Sequence, residues 1–410
     1  MRIGSKVCAV GLLLAASSPA AAQTPAGEAF TVNTTVIGEK SRPDVAVGPD
    51  GRFVVAWRAE ELDGDGWGVA ARWYDPSGVA LTGEVQVNSV AVGRQAFYGI
   101  DNDGQGNSVI VWLDVARGVI ARRFDTDGLP LSDEVIVSPA ANALGVAVSV
   151  NAGGRFLVSW LRADSSTRDV EARRFGADGL PLGGVFAVTS FTHTFYSEES
   201  VVVLRDDDSF LVGWSDGEEV SGRLYDSVGN PITGGFQISQ LDPMSTFSFQ
   251  LDAGCEDTGR YRVFWATDLN LEEGAPMTRT VDPTGALGAL TQLDFLAHGA
   301  FAFSLTGHGE FVVTRSWLWG HEIDGARFDG QHTLLSVFDI EQDAGPGFTL
   351  RNGRVAHGGV NSLELVTVWI NQPLPGGPPF AEIRARQFRR GLFADGFESG
   401  DTDRWSLVVP

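Results

Sequence analysis

Short apolar runs recur along this chain, and glycine-rich polar segments separate them. Six of these runs end in tryptophan: FVVAW at Trp57, SVIVW at Trp112, FLVSW at Trp160, FLVGW at Trp214, YRVFW at Trp265 and LVTVW at Trp369. A further run, FVVTR, has Arg315 at the position of the tryptophan. Continuous apolar runs of this length between turn residues are typical of strands that are buried on both faces. The runs return about every 50 residues, and a period of this size indicates a repeat protein.

The strand that follows each apolar run carries an arginine two residues before an aromatic residue or a valine. These pairs are Arg72 and Tyr74, Arg122 and Phe124, Arg173 and Phe175, Arg223 and Tyr225, Arg279 and Val281, and Arg386 and Phe388. In the sixth copy Ala326 takes the place of the arginine. Since alternate residues of a strand share a face, the arginine and the ring project to the same side.

A tight turn and a fourth strand complete each copy. Turns such as Asp75-Pro76-Ser77-Gly78 place aspartate first and glycine last, as a tight turn between antiparallel strands prefers. Short segments such as EVQVN and GFQIS then follow. Four antiparallel strands per copy form one blade of a β-propeller. The sequence therefore predicts an all-β fold, a seven-bladed β-propeller, while six or eight blades and an open array of sheets are the alternatives.

The seventh copy lacks a fourth strand, and the start of the chain supplies a segment that fits there. That copy has a first strand near 354–360 and a third strand ending at Phe388. The segment GEAFTVN at 27–33 matches GEVQVN at 83–88. Because closing the ring removes free sheet edges, we expect this N-terminal strand to complete the last blade. The propeller then spans 23–391, with repeats near 42–94, 95–144, 145–197, 198–247, 248–299, 300–353 and 354–391, plus the strand 27–36.

The repeat resembles the blades of secreted bacterial propeller proteins, whose pattern runs roughly QVN, DGGFVVAW, a glycine-rich loop and YAQRFD. The resemblance covers about 28–391 and implies a fold and export, not a reaction. The segment 392–410, with its DGFESGDT motif, is similar to a short tail on assorted secreted bacterial proteins. We interpret it as a solvated tail whose Phe397 and Trp405 pack on the ring. A tag for export or surface attachment is the alternative.

The first 22 residues have the three-part organisation of a secretory signal peptide. Arg2 and Lys6 precede an apolar run at 7–16, and small residues end at Ala22, where we expect cleavage. The apolar run is shorter than the roughly 20 residues that a membrane span needs. We therefore expect a secreted, periplasmic or cell-surface protein of a bacterium. Its mature chain would hold a single cysteine, Cys255, and no intrachain disulfide.

The charge balance narrows the range of partners. The chain carries 52 acidic residues against 30 Lys and Arg, for a net charge of -22. Binding to a phosphate backbone needs clustered positive charge, so the composition excludes ordinary nucleic-acid binding. No later stretch is long and apolar enough to predict a transmembrane segment. We expect a monomer.

Positions that recur in nearly every copy are predicted to serve the scaffold. They are Trp57, Trp112, Trp160, Trp214, Trp265 and Trp369, with Arg72, Arg122, Arg173, Arg223 and Arg386. We expect the tryptophans to pack between blades. The arginines should lie against aromatic rings or pair with blade acids, because a buried guanidinium needs matched partners. Functional residues are then expected at positions that differ from one copy of the repeat to the next.

One acidic turn could hold calcium. The segment 101–107 offers Asp101, Asp103 and Asn107, whose oxygens are the ligands that calcium prefers. The loop 63–66 has similar oxygens. Equivalent turns in other copies are plain hairpin turns, and the glutamate that ends an EF-hand loop is absent, so the motif match is weak. We predict no required cofactor, with calcium as the candidate metal.

The long loops, between the second and third strands and between blades, share one face of the predicted ring. Variable loops on a rigid scaffold are where binding residues collect. Exposed rings among carboxylates suit stacking on a sugar or anchoring a protein partner. The simpler interpretation is a set of solvated loops. The candidate binding residues are Glu60, Glu61, Asp63, Asp65, Trp67, His193, Tyr196, Glu218, Glu219, Glu273, Trp317, Trp319 and His321.

Several common catalytic motifs are absent from the sequence. It contains no zinc-protease helix motif, phosphate loop or dinucleotide fingerprint, and its histidines lack metal-ligand spacing. We therefore predict a binding or scaffold protein that recognises a glycan or a protein through its long-loop face. The alternative is a carbohydrate-active hydrolase or lyase with carboxylates at the channel mouth. A retaining glycosidase would need two carboxylates about 5.5 Å apart, which the sequence does not identify.

Overall fold

The computed structural model describes residues 23–60, 62–139, 142–164, 166–192, 199–240, 247–268, 274–293, 300–306, 308–316, 322–342, 348–357, 364–373 and 381–390. These residues form seven antiparallel sheets. The first strand of each sheet contacts the first strands of both neighbouring sheets, and the seventh returns to the first. The ring is therefore closed, which confirms the seven-bladed propeller. No helix in these ranges is long and apolar enough to cross a membrane.

The strands follow one order around the ring, with the first strand innermost. The N-terminal segment forms β1 (Gln23–Pro25) and β2 (Phe30–Thr31). Blade one contains β3 (Lys40–Val47), β4 (Phe53–Glu60), β5 (Trp67–Tyr74) and β6 (Val85–Gln86). Blade two contains β7 (Gln95–Asn102), β8 (Ser108–Asp114), β9 (Gly118–Phe124) and β10 (Val135–Ser138). Blade three contains β11 (Ala143–Val150), β12 (Phe156–Ala163), β13 (Thr167–Phe175) and β14 (Phe186–Thr192).

The remaining blades repeat the arrangement. Blade four contains β15 (Glu199–Leu204), β16 (Phe210–Ser215), β17 (Val220–Tyr225) and β18 (Phe236–Gln237). Blade five contains β19 (Phe247–Cys255), β20 (Tyr261–Asp268), β21 (Gly274–Val281) and β22 (Thr291–Gln292). Blade six contains β23 (Ala300–Leu305), β24 (Phe311–Ser316), β25 (Ile323–Phe328) and β26 (Leu334–Glu341). Blade seven contains β27 (Phe348–His357), β28 (Glu364–Pro373) and β29 (Glu382–Arg390).

The hydrophobic core lies between the blades, and the tryptophans of the second strands are buried in it. Trp57 of blade one packs with Val366 and Val368 of blade seven, and Trp112 of blade two packs with Ala56 of blade one. Each tryptophan thus seals its blade against the preceding one. In blade six, Arg315 replaces the tryptophan and forms an ion pair with Asp324 of the next strand, at 2.7 Å.

The repeated arginines join neighbouring blades through backbone carbonyl groups. Arg122 donates from Nε to the Ser132 carbonyl of its own blade and from Nη1 to the Val87 carbonyl of blade one, at 3.3 and 2.8 Å. Its guanidinium also lies 5.4 Å from the Phe124 ring centroid. The same pair of backbone hydrogen bonds recurs at Arg72, Arg173, Arg223, Arg279 and Arg386. The expected ring contacts are present at Arg72, Arg122, Arg173 and Arg223, and Arg386 instead forms an ion pair with Glu28 at 3.7 Å. The partners common to all of these arginines are backbone carbonyls.

The N-terminal segment closes the ring by pairing with the outer edge of blade seven. β1 and β2 both pair antiparallel with β29. The N–H of Val32 donates to the Ile383 carbonyl at 2.7 Å, and Asn33 Oδ1 accepts from the Ile383 N–H at 2.6 Å. The side chain of Val32 is fully buried. The predicted closing strand is therefore confirmed. The first strand of blade seven begins earlier than 354, because its register with β28 continues through a bulge to Phe348.

Candidate binding site at the central channel

The first strands of the blades surround a central channel of about 920 Å³. Most side chains that line it are apolar, so the charged ones stand out. They are Arg42, Asp44, Asp101, Glu199, Asp252 and Arg354.

Three of these charged residues occupy the same register position in different blades. Asp44, Asp252 and Arg354 each pair with the residue directly before the buried tryptophan of the second strand. They therefore lie at one level of the channel. Asp101 pairs with Val109, three residues before Trp112, which places it two residues further along the channel wall.

The channel raises the pKa of its carboxyl groups. Burial raises the pKa of Asp44 to about 6 and that of Asp252 to about 7, against the opposing charge of Arg354. Burial also raises the pKa of Asp101 to about 7. All three side chains keep part of their surface open to the channel. They can therefore exchange protons with its contents near neutral pH.

Several lining side chains also hold neighbouring blades together. Asp101 Oδ2 accepts from the Val150 N–H of the next blade at 2.7 Å, and Glu199 Oε2 accepts from the Leu251 N–H at 2.6 Å. Gln250 Oε1 accepts from the Phe301 N–H at 2.7 Å. Part of the polar lining thus satisfies backbone donors that face the channel, as buried N–H groups require.

One mouth of the channel carries an arginine in a strained backbone conformation. Arg42 has a φ of 52° at a bulge in β3 and directly precedes Pro43. A non-glycine residue in the left-handed region is uncommon, and a bulge changes the direction of its side chain. The Arg42 guanidinium lies over the Tyr98 ring of blade two, 5.3 Å from its centroid. Arg42 is exposed and Tyr98 is partly exposed.

A second arginine and ring lie beside this pair. The Arg58 guanidinium stacks on Trp67, 3.6 Å from the ring centroid. Burial lowers the pKa of Arg58, and the charges of Arg94 and Arg42 lower it further, while Glu39 and Glu60 oppose them. Arg94 is exposed. We call these residues the mouth cluster: Arg42, Arg58, Arg94, Trp67 and Tyr98. None of its three arginines forms an ion pair with a described residue.

The predicted loop residues of blade one hold their own loop in place. Asp63 Oδ2 accepts from Asn88 Nδ2 at 2.7 Å, and Asp65 Oδ2 accepts from the Gly93 N–H at 3.1 Å. Glu60 Oε2 accepts from the Glu39 N–H at 3.1 Å. These carboxylates thus hold in place the loop that precedes Trp67.

Glu218 and Glu219 lie in a turn of blade four. Asp216 Oδ1 accepts from both of their N–H groups, at 2.9 and 2.8 Å. Burial raises the pKa of Glu219, and the charges of Asp216 and Glu218 add to this. The other predicted binding residues lie outside the described part of the chain: Glu61, His193, Tyr196, Glu273, Trp317, Trp319 and His321. The predicted signal peptide and C-terminal tail also lie outside it.

The residues predicted to bind calcium have separate roles in the structure. Asp103 Oδ1 accepts from the N–H groups of Gln105 and Asn107, and its Oδ2 accepts from Asn107 Nδ2 at 2.8 Å. Asp101 faces the channel instead. In the described ranges, no three His, Cys, Asp or Glu side chains are grouped to hold a metal ion.

Sequence reasoning did not identify Arg42, Asp44, Tyr98, Asp252 or Arg354 as site residues. A usable signal existed, because Asp44, Asp252 and Arg354 are charged residues at one repeat position where other blades carry small or apolar residues.

Comparisons with known proteins support the fold. No family model matches this chain, and no curated protein matches it. A protein of unknown function from Dyadobacter fermentans is 10% identical with a TM-score of 0.54, covering 91% of this chain and 100% of that one. The polysaccharide lyase Uly1 is 7% identical with a TM-score of 0.53, covering 83% and 88%. A PL25 ulvan lyase bound to -[GlcA(1-4)Rha3S]- is 7% identical with a TM-score of 0.55, covering 86% and 97%. At these identities the likeness shows a shared propeller fold.

Proposed function

We propose that this protein binds a saccharide chain at the mouth of its central channel, on the long-loop face. The observation that carries the proposal is the mouth cluster, in which Arg42 and Tyr98 line the channel and the Arg58 guanidinium stacks on a second partly exposed ring, Trp67. Tyrosine and tryptophan present an apolar face with a polar edge, which matches the alternating apolar and hydroxyl surfaces of a sugar ring.

The shape of the site favours a saccharide over a protein partner. Concave sites with a few fixed polar groups are typical of small ligands and chains. The similar structures give independent support, since two of the three reported above are polysaccharide lyases and one holds a bound saccharide. The same scaffold can therefore accommodate a polysaccharide.

Replacing Tyr98 with alanine is expected to weaken saccharide binding about two- to twelvefold, because aromatic contacts contribute about 0.5–1.5 kcal/mol. A glycan array would identify the ligand, and calorimetry would then compare the variants. Tyr98→Phe is the matched control, since it keeps the ring over Arg42 and should retain most of the affinity. A protein that binds no saccharide on the array would contradict the proposed function.

A carbohydrate-active enzyme is the second candidate, and the channel carboxyls favour it. Asp44 and Asp252 have pKa values near neutrality, so either could accept or donate a proton. Arg354, at the same level, could stabilise negative charge that develops on a substrate. We expect Asp44→Asn or Asp252→Asn to abolish any turnover of a saccharide found on the array. A reducing-end assay detects hydrolysis, and ultraviolet absorbance detects the unsaturated product of a lyase. If the wild-type protein leaves every bound saccharide intact in both assays, this candidate function is wrong.

A further inference from the structure

Building on the proposed function, we infer that the saccharide is anionic and that the arginines of the mouth cluster bind its carboxylate or sulfate groups. A neutral glycan would need the rings but not the three cations beside them.

The arginines of the mouth cluster belong to a strongly acidic chain. The protein carries a net charge of -22, and several of its arginines form ion pairs with carboxylates, while the repeated arginines bind backbone carbonyls. Arg117, for example, bridges Asp114 and Glu134. In the mouth cluster, by contrast, Arg42, Arg58 and Arg94 have no carboxylate partner within the described residues. The three guanidinium groups lie close enough for their mutual repulsion to act on Arg58. An anion bound between them would relieve that repulsion.

The details of the cluster indicate a prepared site. Arg58 Nε is buried and has no hydrogen-bond partner in the described part of the structure. A buried donor without a partner costs free energy, so its retention requires an explanation. Arg42 occupies a left-handed backbone conformation next to a proline, which also costs free energy and occurs most often at functional sites.

Two of the cluster's guanidinium groups are placed over aromatic rings. Arg42 lies over the Tyr98 ring and Arg58 lies over the Trp67 ring, at 5.3 and 3.6 Å from the ring centroids. A planar guanidinium held in this way can donate two parallel hydrogen bonds to a carboxylate or sulfate.

Two acids near the cluster offset part of the repulsion on Arg58. Glu39 and Glu60 act on the charge of Arg58, but the Glu60 carboxylate accepts from the Glu39 backbone N–H. The Asp65 carboxylate accepts from the Gly93 N–H. Arg42 and Arg94 remain exposed to solvent.

The experiment compares three polymers: polygalacturonate, which carries carboxylates, dextran sulfate, which carries sulfates, and neutral dextran. We expect the wild-type protein to bind at least one acidic polymer, with an affinity that falls as salt is added. The double variant Arg42→Gln/Arg94→Gln should weaken that binding about tenfold or more, since each lost bond to a charged group is worth about a factor of ten. Binding to polygalacturonate would indicate that the site recognises carboxylates, and binding to dextran sulfate would indicate that it recognises sulfates.

The matched control is Arg52→Gln/Arg155→Gln, which removes the same charge from short hairpins at the other end of the ring. Arg52 pairs with Asp127 and Arg155 pairs with Asp208. This control should bind the acidic polymer like the wild type. Equal weakening by both double variants would mean a general charge effect and overturn the inference. Binding to neutral glycans alone, such as dextran, would also overturn the inference but would leave the proposed function intact. No binding to any saccharide would contradict both the inference and the proposed function.

Discussion

Replacing Glu256 with alanine is expected to lower the free energy of unfolding by about 3–5 kcal/mol, the cost of breaking a buried ion pair from one side. Glu256 Oε1 accepts from Nε and Nη2 of Arg262, at 3.0 and 2.6 Å. Arg262 is 1% exposed and reaches blade six, where it donates to the Gly330 carbonyl. The substitution would leave its buried charge unpaired between two blades. Unfolding in denaturant, followed by tryptophan fluorescence, measures the loss.

Two further variants test this explanation. Arg260 also binds Glu256 but is largely exposed, so Arg260→Ala should cost less than about 1 kcal/mol. The double variant Glu256→Ala/Arg262→Met removes both charges and should recover much of the lost stability, because apolar residues often replace a buried pair without penalty. A double variant no more stable than Glu256→Ala would show that packing, rather than the unpaired charge, causes the loss.

Placing a charge in the closing strand should have an effect of similar size. Val32→Asp puts a carboxylate at a position with no exposed surface, next to the hydrogen bonds that join the N-terminal segment to β29. We expect a loss of at least about 3 kcal/mol, since an unpaired buried charge is among the most destabilising changes. Unfolding in denaturant gives the free energy, and size-exclusion chromatography reports any association through an opened sheet edge.

Val36→Asp is the matched control for this change. It is the same substitution four residues along the same segment, where the side chain is 56% exposed. Exposed substitutions change stability by roughly 0.5 kcal/mol or less. Similar losses at both positions would show that the segment as a whole, and not the burial of Val32, determines the effect.

The sequence predicted the scaffold well because the scaffold repeats. Trp112 and Arg122 occupy positions that return in most copies, and buried two-sided strands leave a clear apolar signal. The turn glycines are similarly visible, since Gly78 and Gly128 have φ values of 84° and 79° that favour glycine. The blade count and the closing strand followed from these repeats alone.

The candidate site was harder to predict because its residues come from several blades and meet only when the ring is closed. Asp44 and Asp252 are separated by three intervening blades in the chain, yet they face one channel. Arg42 and Tyr98 belong to different blades, and Arg42 reaches the ring from a bulge in β3 that the sequence does not reveal. The composition of the loop predicted Asp63 and Asp65 as binding residues. Their carboxylates instead accept hydrogen bonds from the Asn88 side chain and the Gly93 N–H.

The closing strand also determines the order in which the molecule can assemble. Asn33 and Ile383 are 350 positions apart, so their hydrogen bond forms only after nearly the whole chain is present. Bringing such distant segments together costs chain entropy that no local contact offsets in advance. The six other blades take all their strands from continuous stretches and can form first. We therefore expect the seam in blade seven to form last and to open first.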